Sequence, residues 1–268
     1  MDAHYPYVPP QPFDGMFPSR SPRITQDDLD RQQEQISGGG PIPAGYRLHT
    51  ISQYDGGIAY MDAQIGQLIR WLRASGFYDN TMIVVTSDHG EAFGERSRVG
   101  HANSPYQNLL HVGLLIKYPN SAQKGIVDEP VSLIDVAPTI LETVGVAPPA
   151  TMQGRSLLHG VDRSRKIFAE TFPCAVLHPP ECPHGCTARA VYAWPYKFIT
   201  STSGKRELFD LSTDPDEQHD LYPDFIPFAK QLNSELEEWK KHSPVQSRQK
   251  MQLDDESLRR LKSLGYAQ

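Results

Sequence analysis

The sequence is short of cysteine, of long apolar runs and of excess positive charge, and each shortage closes off a class of protein. Three cysteines in 268 residues cannot staple a disulfide scaffold. No apolar run approaches the ~18 to 20 residues that span a bilayer, and the mean hydropathy is −0.49, so no membrane span is expected. Lys and Arg number 26 against 32 Asp and Glu, a net charge of −6. No basic stripe gathers along the chain, which sets nucleic acid aside as a partner. Met1 is followed by DAHYPYVPP, which has neither the basic n-region nor the apolar h-region of an export signal.

Proline is plentiful, at 23 residues, and it crowds the first 45 positions and the stretch 173–195. Proline removes a backbone donor and biases its predecessor away from helix, so residues 1–24 read as extended or turn structure. A short acidic helix is expected over 26–36, with Thr25 and Asp28 at a capping-box spacing. After the break SGGGPIPAG, residues Ile51, Tyr54, Ile58, Met61, Ile65, Leu68, Ile69 and Leu72 recur at helical steps and predict a helix over 46–75, capped by Gly76. The β-branched run 82–85 reads as a strand buried on both faces, as in a parallel sheet. A second strand is expected within 112–119, a helix over 132–145 and a strand over 166–171. YKFITS and RELFDLS, joined through Ser203-Gly204-Lys205, read as a hairpin, with the amphipathic helix IPFAKQLNSELEEWKKH packed on it. The charged tail 246–268 is expected to end in a short helix, and no internal repeat is visible.

The first of those strands ends in TSDHGEAFGE, residues 86–95. Side chains at the C-terminal end of a parallel strand project into the crevice where α/β folds bind ligands. Asp88 and His89 stand there, and an acid beside an imidazole can hold a divalent metal or exchange a proton. By position alone, Asp88 serves equally as a cap and His89 as a satisfied loop residue.

The wider pattern decides between these readings. MDAHYPYVPPQPF, YDGGIAYMDAQIGQLIRWLRASGFYDNTMIVVTSDHGEAFGE, GHANSPYQNLLHVGLLIKYP, VSLIDVAPTILETVG with QGRSLL, and YKFI…ELFDLSTDPDEQHDL…LKSLGYAQ follow one another in order. Together they resemble the sulfatase branch of the alkaline-phosphatase superfamily over nearly the whole chain. The resemblance implies an α/β fold: part of an alkaline-phosphatase-like, mainly parallel mixed sheet flanked by helices, then a small C-terminal antiparallel sheet with a helix. It divides the chain into 1–165, the C-terminal part of the catalytic domain, 166–245, a small α+β subdomain, and 246–268, the tail. Asp88 and His89 fall on the second pair of metal-ligand positions, for a divalent cation: Ca²⁺ in first place, Mn²⁺ or Mg²⁺ as alternatives. His101 takes the cationic position that touches the sulfate or its leaving oxygen, and His4 that of the histidine contacting the transferred group. The implied substrate is a sulfate ester or a related small anionic ester. A phosphodiester or phosphonate monoester hydrolase of the same superfamily, and a non-catalytic remnant or binding module, stand as alternatives.

The sequence departs from that family in two respects. Sulfatases attack through a formylglycine made from Cys or Ser in Cys-x-Pro-x-Arg, and neither form of the motif occurs; SRSPR has its proline one place late. Asp27-Asp28 follows ITQ rather than a buried strand, and reads as the acidic first turn of a helix, not as the first metal-ligand pair. The chain is therefore expected to begin inside the family domain and to be inactive alone. Without its sheet partners it would leave apolar faces on the long helix and strand uncovered. A few hundred Å² at about 25 cal/mol per Å² amounts to roughly 5–10 kcal/mol, comparable with a whole domain's stability. A missing N-terminal half or a homo-oligomer is the expected partner. HPPECPHGC reads as a proline-stiffened surface insertion, with a Cys182–Cys186 disulfide or a metal knuckle as alternatives, and Glu170 as a structural residue.

Overall fold

The computed structural model describes residues 3–21, 24–37, 40–101, 104–171 and 187–242. The expected Thr25–Asp28 capping box opens the first helix, α1 (Gln26–Ser37): Thr25 N–H donates to Asp28 Oδ2 at 3.0 Å and Asp28 N–H to Thr25 Oγ1 at 3.2 Å. The helix buries Leu29 and Ile36 against Tyr46 of the long helix α2 (Ala44–Ala74).

Helix α2 has two dissimilar halves. Its buried residues all lie between Tyr46 and Gly57. There the paired glycines make a bare patch on which residues 3–13 lie directly. A Cβ on Gly56 would stand 2.6 Å from the Phe13 carbonyl oxygen, and one on Gly57 3.1 Å from Ala3 Cα. Tyr7, Tyr54 and Phe93 close over this contact with ring centroids 5.0–5.9 Å apart. Beyond Gly57 the helix has no buried residue, and Leu68 and Trp71 are more than half exposed.

After Gly76, which takes the left-handed conformation expected of a C-terminal cap, the chain enters β1 (Ile83–Thr86). A short ribbon, β2 (Ala92–Phe93) with β3 (Val99–Gly100), and a one-turn helix α3 (Gln107–Leu110) lead to β4 (Leu114–Lys117). β1 and β4 pair antiparallel, Ile83 opposite Lys117 and Thr86 opposite Leu114, where a parallel, doubly buried strand was expected. The connection explains the difference. Parallel neighbours need a crossover of a dozen or more residues over the sheet face, whereas this one doubles back through α3. Both strands of the pair are only partly covered, and Leu115 is 66% exposed.

The predicted helix over 132–145 begins as a single 3₁₀ turn, Leu133–Asp135, capped by Ser132, and continues as α4 (Val136–Thr143). Asp135 is wholly buried. Its carboxylate receives the Ser132 and Arg155 amides at 2.9 and 2.8 Å and the Arg165 guanidinium at 2.8 Å, tying residues 132–165 into one unit.

The chain then builds a four-stranded antiparallel sheet in the order β5 (Ile167–Glu170), β6 (Ala188–Ala193), β7 (Tyr196–Ser201), β8 (Arg206–Asp210). The hairpin expected from the sequence is β7–β8; β6 is an addition, screened by the neighbouring prolines. One face buries Val191, Phe198 and Leu208 under Ala229, Leu232 and Leu236 of α5 (Ile226–His242), the packing expected of that helix. The other face, with Ala190, Tyr192, Ile199 and Phe209, receives Tyr106 and Leu110 from the segment between β3 and β4. The tail 246–268 and the HPPECPHGC stretch with Cys174, Cys182 and Cys186 lie outside the described residues. No helix among the described residues is long and apolar enough to cross a membrane.

Candidate active site

Three histidines from three separate segments meet. His89 leaves β1, His101 follows β3, and His4 arrives on the segment laid over Gly56 and Gly57. The His89 and His101 rings stack at 4.2 Å, and His4 lies 4.7 Å from His101 and 6.2 Å from His89, centroid to centroid. One nitrogen from each ring falls within 4.8 Å of the others. Asp88 stands at the rim: its side chain is 68% exposed, with Oδ1 3.8 Å from His89 Nε2. All four sequence-predicted residues are therefore neighbours, Asp88 through His89.

The glycine after His89 is required by close approach and not by a positive φ. Gly90 N–H donates to the Leu109 carbonyl at 2.8 Å, and a Cβ there would collide with the Asn108 carbonyl oxygen. This contact brings the β1 exit against α3.

The hydrogen bonds specify tautomers. Carbonyl oxygens only accept, so His89 Nδ1–H donates to the Gly90 carbonyl at 2.8 Å and His4 Nδ1–H to the Tyr5 carbonyl at 2.6 Å. In the neutral rings the lone pair then sits on Nε2. His89 Nε2 stands 3.8 Å from the Asp88 carboxylate oxygen, so the two can serve as neighbouring donors to one cation. The donor set fits a divalent metal: one hard carboxylate and one borderline imidazole.

Sequence reasoning passed over Glu91. It is buried, and His101 Nδ1 lies 3.4 Å from each of its carboxylate oxygens. The signal was a lone acid inside the otherwise small and aromatic stretch Gly90–Phe93. The hydrogen bond that His101 donates to Glu91 raises the His101 pKa against the opposing effect of burial, and so favours imidazolium. Burial and the neighbouring His101 charge hold the His4 pKa below the usual histidine range. Burial, then the Glu91 charge and hydrogen bond, keep the Tyr7 phenol protonated far into base. The site thus sets an imidazole biased neutral beside one biased cationic. Such an arrangement can hold a cation at one side, receive an oxyanion at the other and move a proton between them.

Comparison with known proteins finds relatives over most of the chain. The family described as Sulfatase matches residues 1–146, and the one described as N-sulphoglucosamine sulphohydrolase, C-terminal, matches residues 103–242. Among curated proteins, arylsulfatase K of Bos taurus is 34% identical over 188 residues, covering 66% of this chain and 34% of its own length. N-acetylglucosamine-6-O-sulfatase of Bacteroides thetaiotaomicron is 29% identical over 239 residues, covering 83% of this chain and 42% of its own. Among solved structures, a phosphonate monoester hydrolase of Silicibacter pomeroyi superposes with a TM-score of 0.68 at 23% identity, over 90% of this chain and 54% of that one. The chain spans about a third of the length of the arylsulfatase K relatives and about half that of the solved structures.

Proposed function

The chain belongs to the sulfatase family, and from that premise we propose that it forms the cation- and oxyanion-facing part of a hydrolase that cleaves sulfate esters. The observation that carries the reading is the meeting of His4, His89 and His101 from segments remote in sequence. Asp88 and His89 would hold one side of a divalent cation; when bound, that cation neutralises charge on the ester oxygens as a Lewis acid. The resemblance favours Ca²⁺, the imidazole donor Mn²⁺. His101, kept towards its cationic form by Glu91, faces the negative charge that develops on the leaving oxygen and can return a proton to it. An anion entering between His101 and His4 supplies the opposite charge that draws His4 towards imidazolium as well. Residues 3–10 hold His4 over the pocket, and Tyr7 screens Glu91 from water.

The nucleophile is assigned outside residues 1–268, since no Cys-x-Pro-x-Arg occurs among them. The same reading places the sulfatase-like α/β part at 1–165, a smaller α+β unit at 166–245 and the tail at 246–268. The partner is then a segment carrying the nucleophile, the first metal-ligand pair and the remaining sheet. The phosphonate monoester hydrolase likeness keeps phosphonate and phosphodiester substrates in the comparison, because both present the same tetrahedral anion.

The test is hydrolysis of 4-nitrophenyl sulfate, 4-nitrophenyl phenylphosphonate and bis(4-nitrophenyl) phosphate with Ca²⁺ or Mn²⁺. The isolated chain is expected to turn over none of them. Co-expression with a family segment bearing Cys-x-Pro-x-Arg is expected to give sulfate-ester turnover that is lost in His101→Ala. Steady turnover by the 268 residues alone would overturn the account of the nucleophile. Preference for the phosphorus esters in the complemented protein would replace the substrate class.

A further inference from the structure

The segment that carries His101 is built from conformations that L-residues avoid. Gly94 and Gly100 have φ of 122° and 76°, and the non-glycine residues Arg96 and Ser97 have φ of 54° and 57°. Such a backbone holds its shape only where its surroundings over-determine it. Two anchors on the four-stranded sheet and the turn after β8 do so, one on each side of His101.

On the N-terminal side, the Arg96 guanidinium lies 4.0 Å from the Tyr106 ring centroid and 5.3 Å from that of Phe209. It donates to Glu207 Oε1 at 3.4 Å and to the Glu217 carbonyl. On the C-terminal side, the Tyr106 hydroxyl donates to Glu207 Oε2 at 2.5 Å, and Gln107 N–H donates to Glu217 Oε2 at 2.8 Å. Gln107 Oε1 in turn accepts from the Tyr192 hydroxyl at 2.7 Å. Behind these contacts Lys197 and Glu217 form an ion pair at 2.6 Å with side-chain exposures of 0% and 1%.

Burying such a pair is poor economy for stability. Apolar residues of the same volume are often as good or better, because desolvating two charges offsets their attraction. Here Glu217 also receives a backbone N–H and, through its carbonyl, a guanidinium, and both come from the His101 segment. We propose that Glu207 and Glu217 are positioning residues: through Arg96, Tyr106 and Gln107 they clamp the segment that presents His101, so that the four-stranded sheet forms part of the active site by holding it. The role assigned to His101 rests on the sulfate-ester reading above; the clamp itself rests on the contacts.

The experiment uses the full 268-residue chain and reads amide hydrogen exchange together with the His101 ring ¹³Cε1 resonance, assigned by its absence in His101→Gln. Lys197→Met/Glu217→Met replaces the ion pair by apolar side chains and removes the acceptor for Gln107 N–H. Losing a hydrogen bond to a charged group shifts a local opening equilibrium by about tenfold or more. Peptides covering 95–101 and 104–110 are therefore expected to exchange about tenfold faster, while β6, β7 and β8 keep their protection and the His101 signal broadens or splits. Glu217→Gln, which retains an acceptor oxygen, is expected to restore much of the protection. Tyr106→Phe keeps the ring in the core and deletes only the hydroxyl, so it reports the clamp should the double variant fail to fold. Unchanged exchange in both peptides and an unchanged His101 signal in Lys197→Met/Glu217→Met, or in Tyr106→Phe should the double variant fail to fold, would overturn the clamp. Inorganic sulfate added to the wild-type chain separates the two claims. A loosened loop with no sulfate-induced histidine shift leaves the clamp standing and removes the sulfate reading; an unmoved loop with the shift present does the reverse.

Discussion

At the scale of single residues, the buried charges carry the sharpest expectations. Asp135 is wholly buried and answers one guanidinium and two amides. Removing one partner of such a pair leaves the other uncompensated, which costs about 3–5 kcal/mol. Asp135→Ala is accordingly expected to lower the unfolding free energy measured by chemical denaturation by that much, and Asp135→Asn, which keeps an acceptor, by less. Lys197 is different in kind. Burial, only partly offset by Glu217, brings its pKa down from 10.5 to about 8. In the window between those values the unfolded chain binds the proton and the folded chain does not, so stability rises with pH there. Below pH 8 both states are protonated and the full cost of the buried ammonium is present. A thermal midpoint that climbs between pH 8 and 9.5 in the wild type, with a flatter slope in Lys197→Met, is the expected result; equal slopes would contradict it. That Asp88, His89, His101 and His4 would meet was legible because they sit in motifs whose order survives in the linear string. Glu91, Glu207 and Glu217 were not, since a carboxylate looks the same in a sequence whether water or a guanidinium faces it.

At the scale of elements, helix periods, caps and the hairpin could all be read from local spacing. What could not be read is pairing: β1 and β4 meet antiparallel because of the path between them, and a four-residue strand carries no sign of direction. β6 was hidden for a related reason, its alternation being short and flanked by prolines. The glycine pair in α2 was visible but its use was not. Each mid-helix glycine costs roughly 1 kcal/mol relative to alanine, and the return on that cost is the docking of residues 3–13. Gly56→Val is therefore expected to raise helicity by circular dichroism while releasing the N-terminal segment. Faster exchange of the amides of residues 3–10 is the readout. Gly90→Ala, whose Cβ meets the Asn108 carbonyl, is expected to destabilise by about 1–3 kcal/mol in chemical denaturation, as overpacking does.

At the scale of the whole molecule, apolar surface is left over. Leu68, Trp71, Leu115 and Ile126 are 53%, 57%, 66% and 90% exposed, and the second half of α2 buries nothing. Exposed large apolar side chains favour association and dye binding. The isolated chain is expected to self-associate with rising concentration in sedimentation velocity and to bind 8-anilinonaphthalene sulfonate. Trp71→Glu with Leu115→Glu should suppress both without lowering the thermal midpoint. A monodisperse, dye-silent wild type would show that the face is covered in some other way.

The contacts that fix the histidine loop join residues 111, 121 and 110 positions apart in the chain. A polypeptide emerging from the ribosome presents Arg96, His101 and Gln107 long before it presents Glu207 or Glu217. Pairings of such sequence separation form late, after the entropy of closing the intervening loops has been spent. His101 is thus synthesised well before the residues that set it in place. A nascent chain arrested before Glu207 would carry the whole histidine trio in its sequence and lack both carboxylates that clamp its loop.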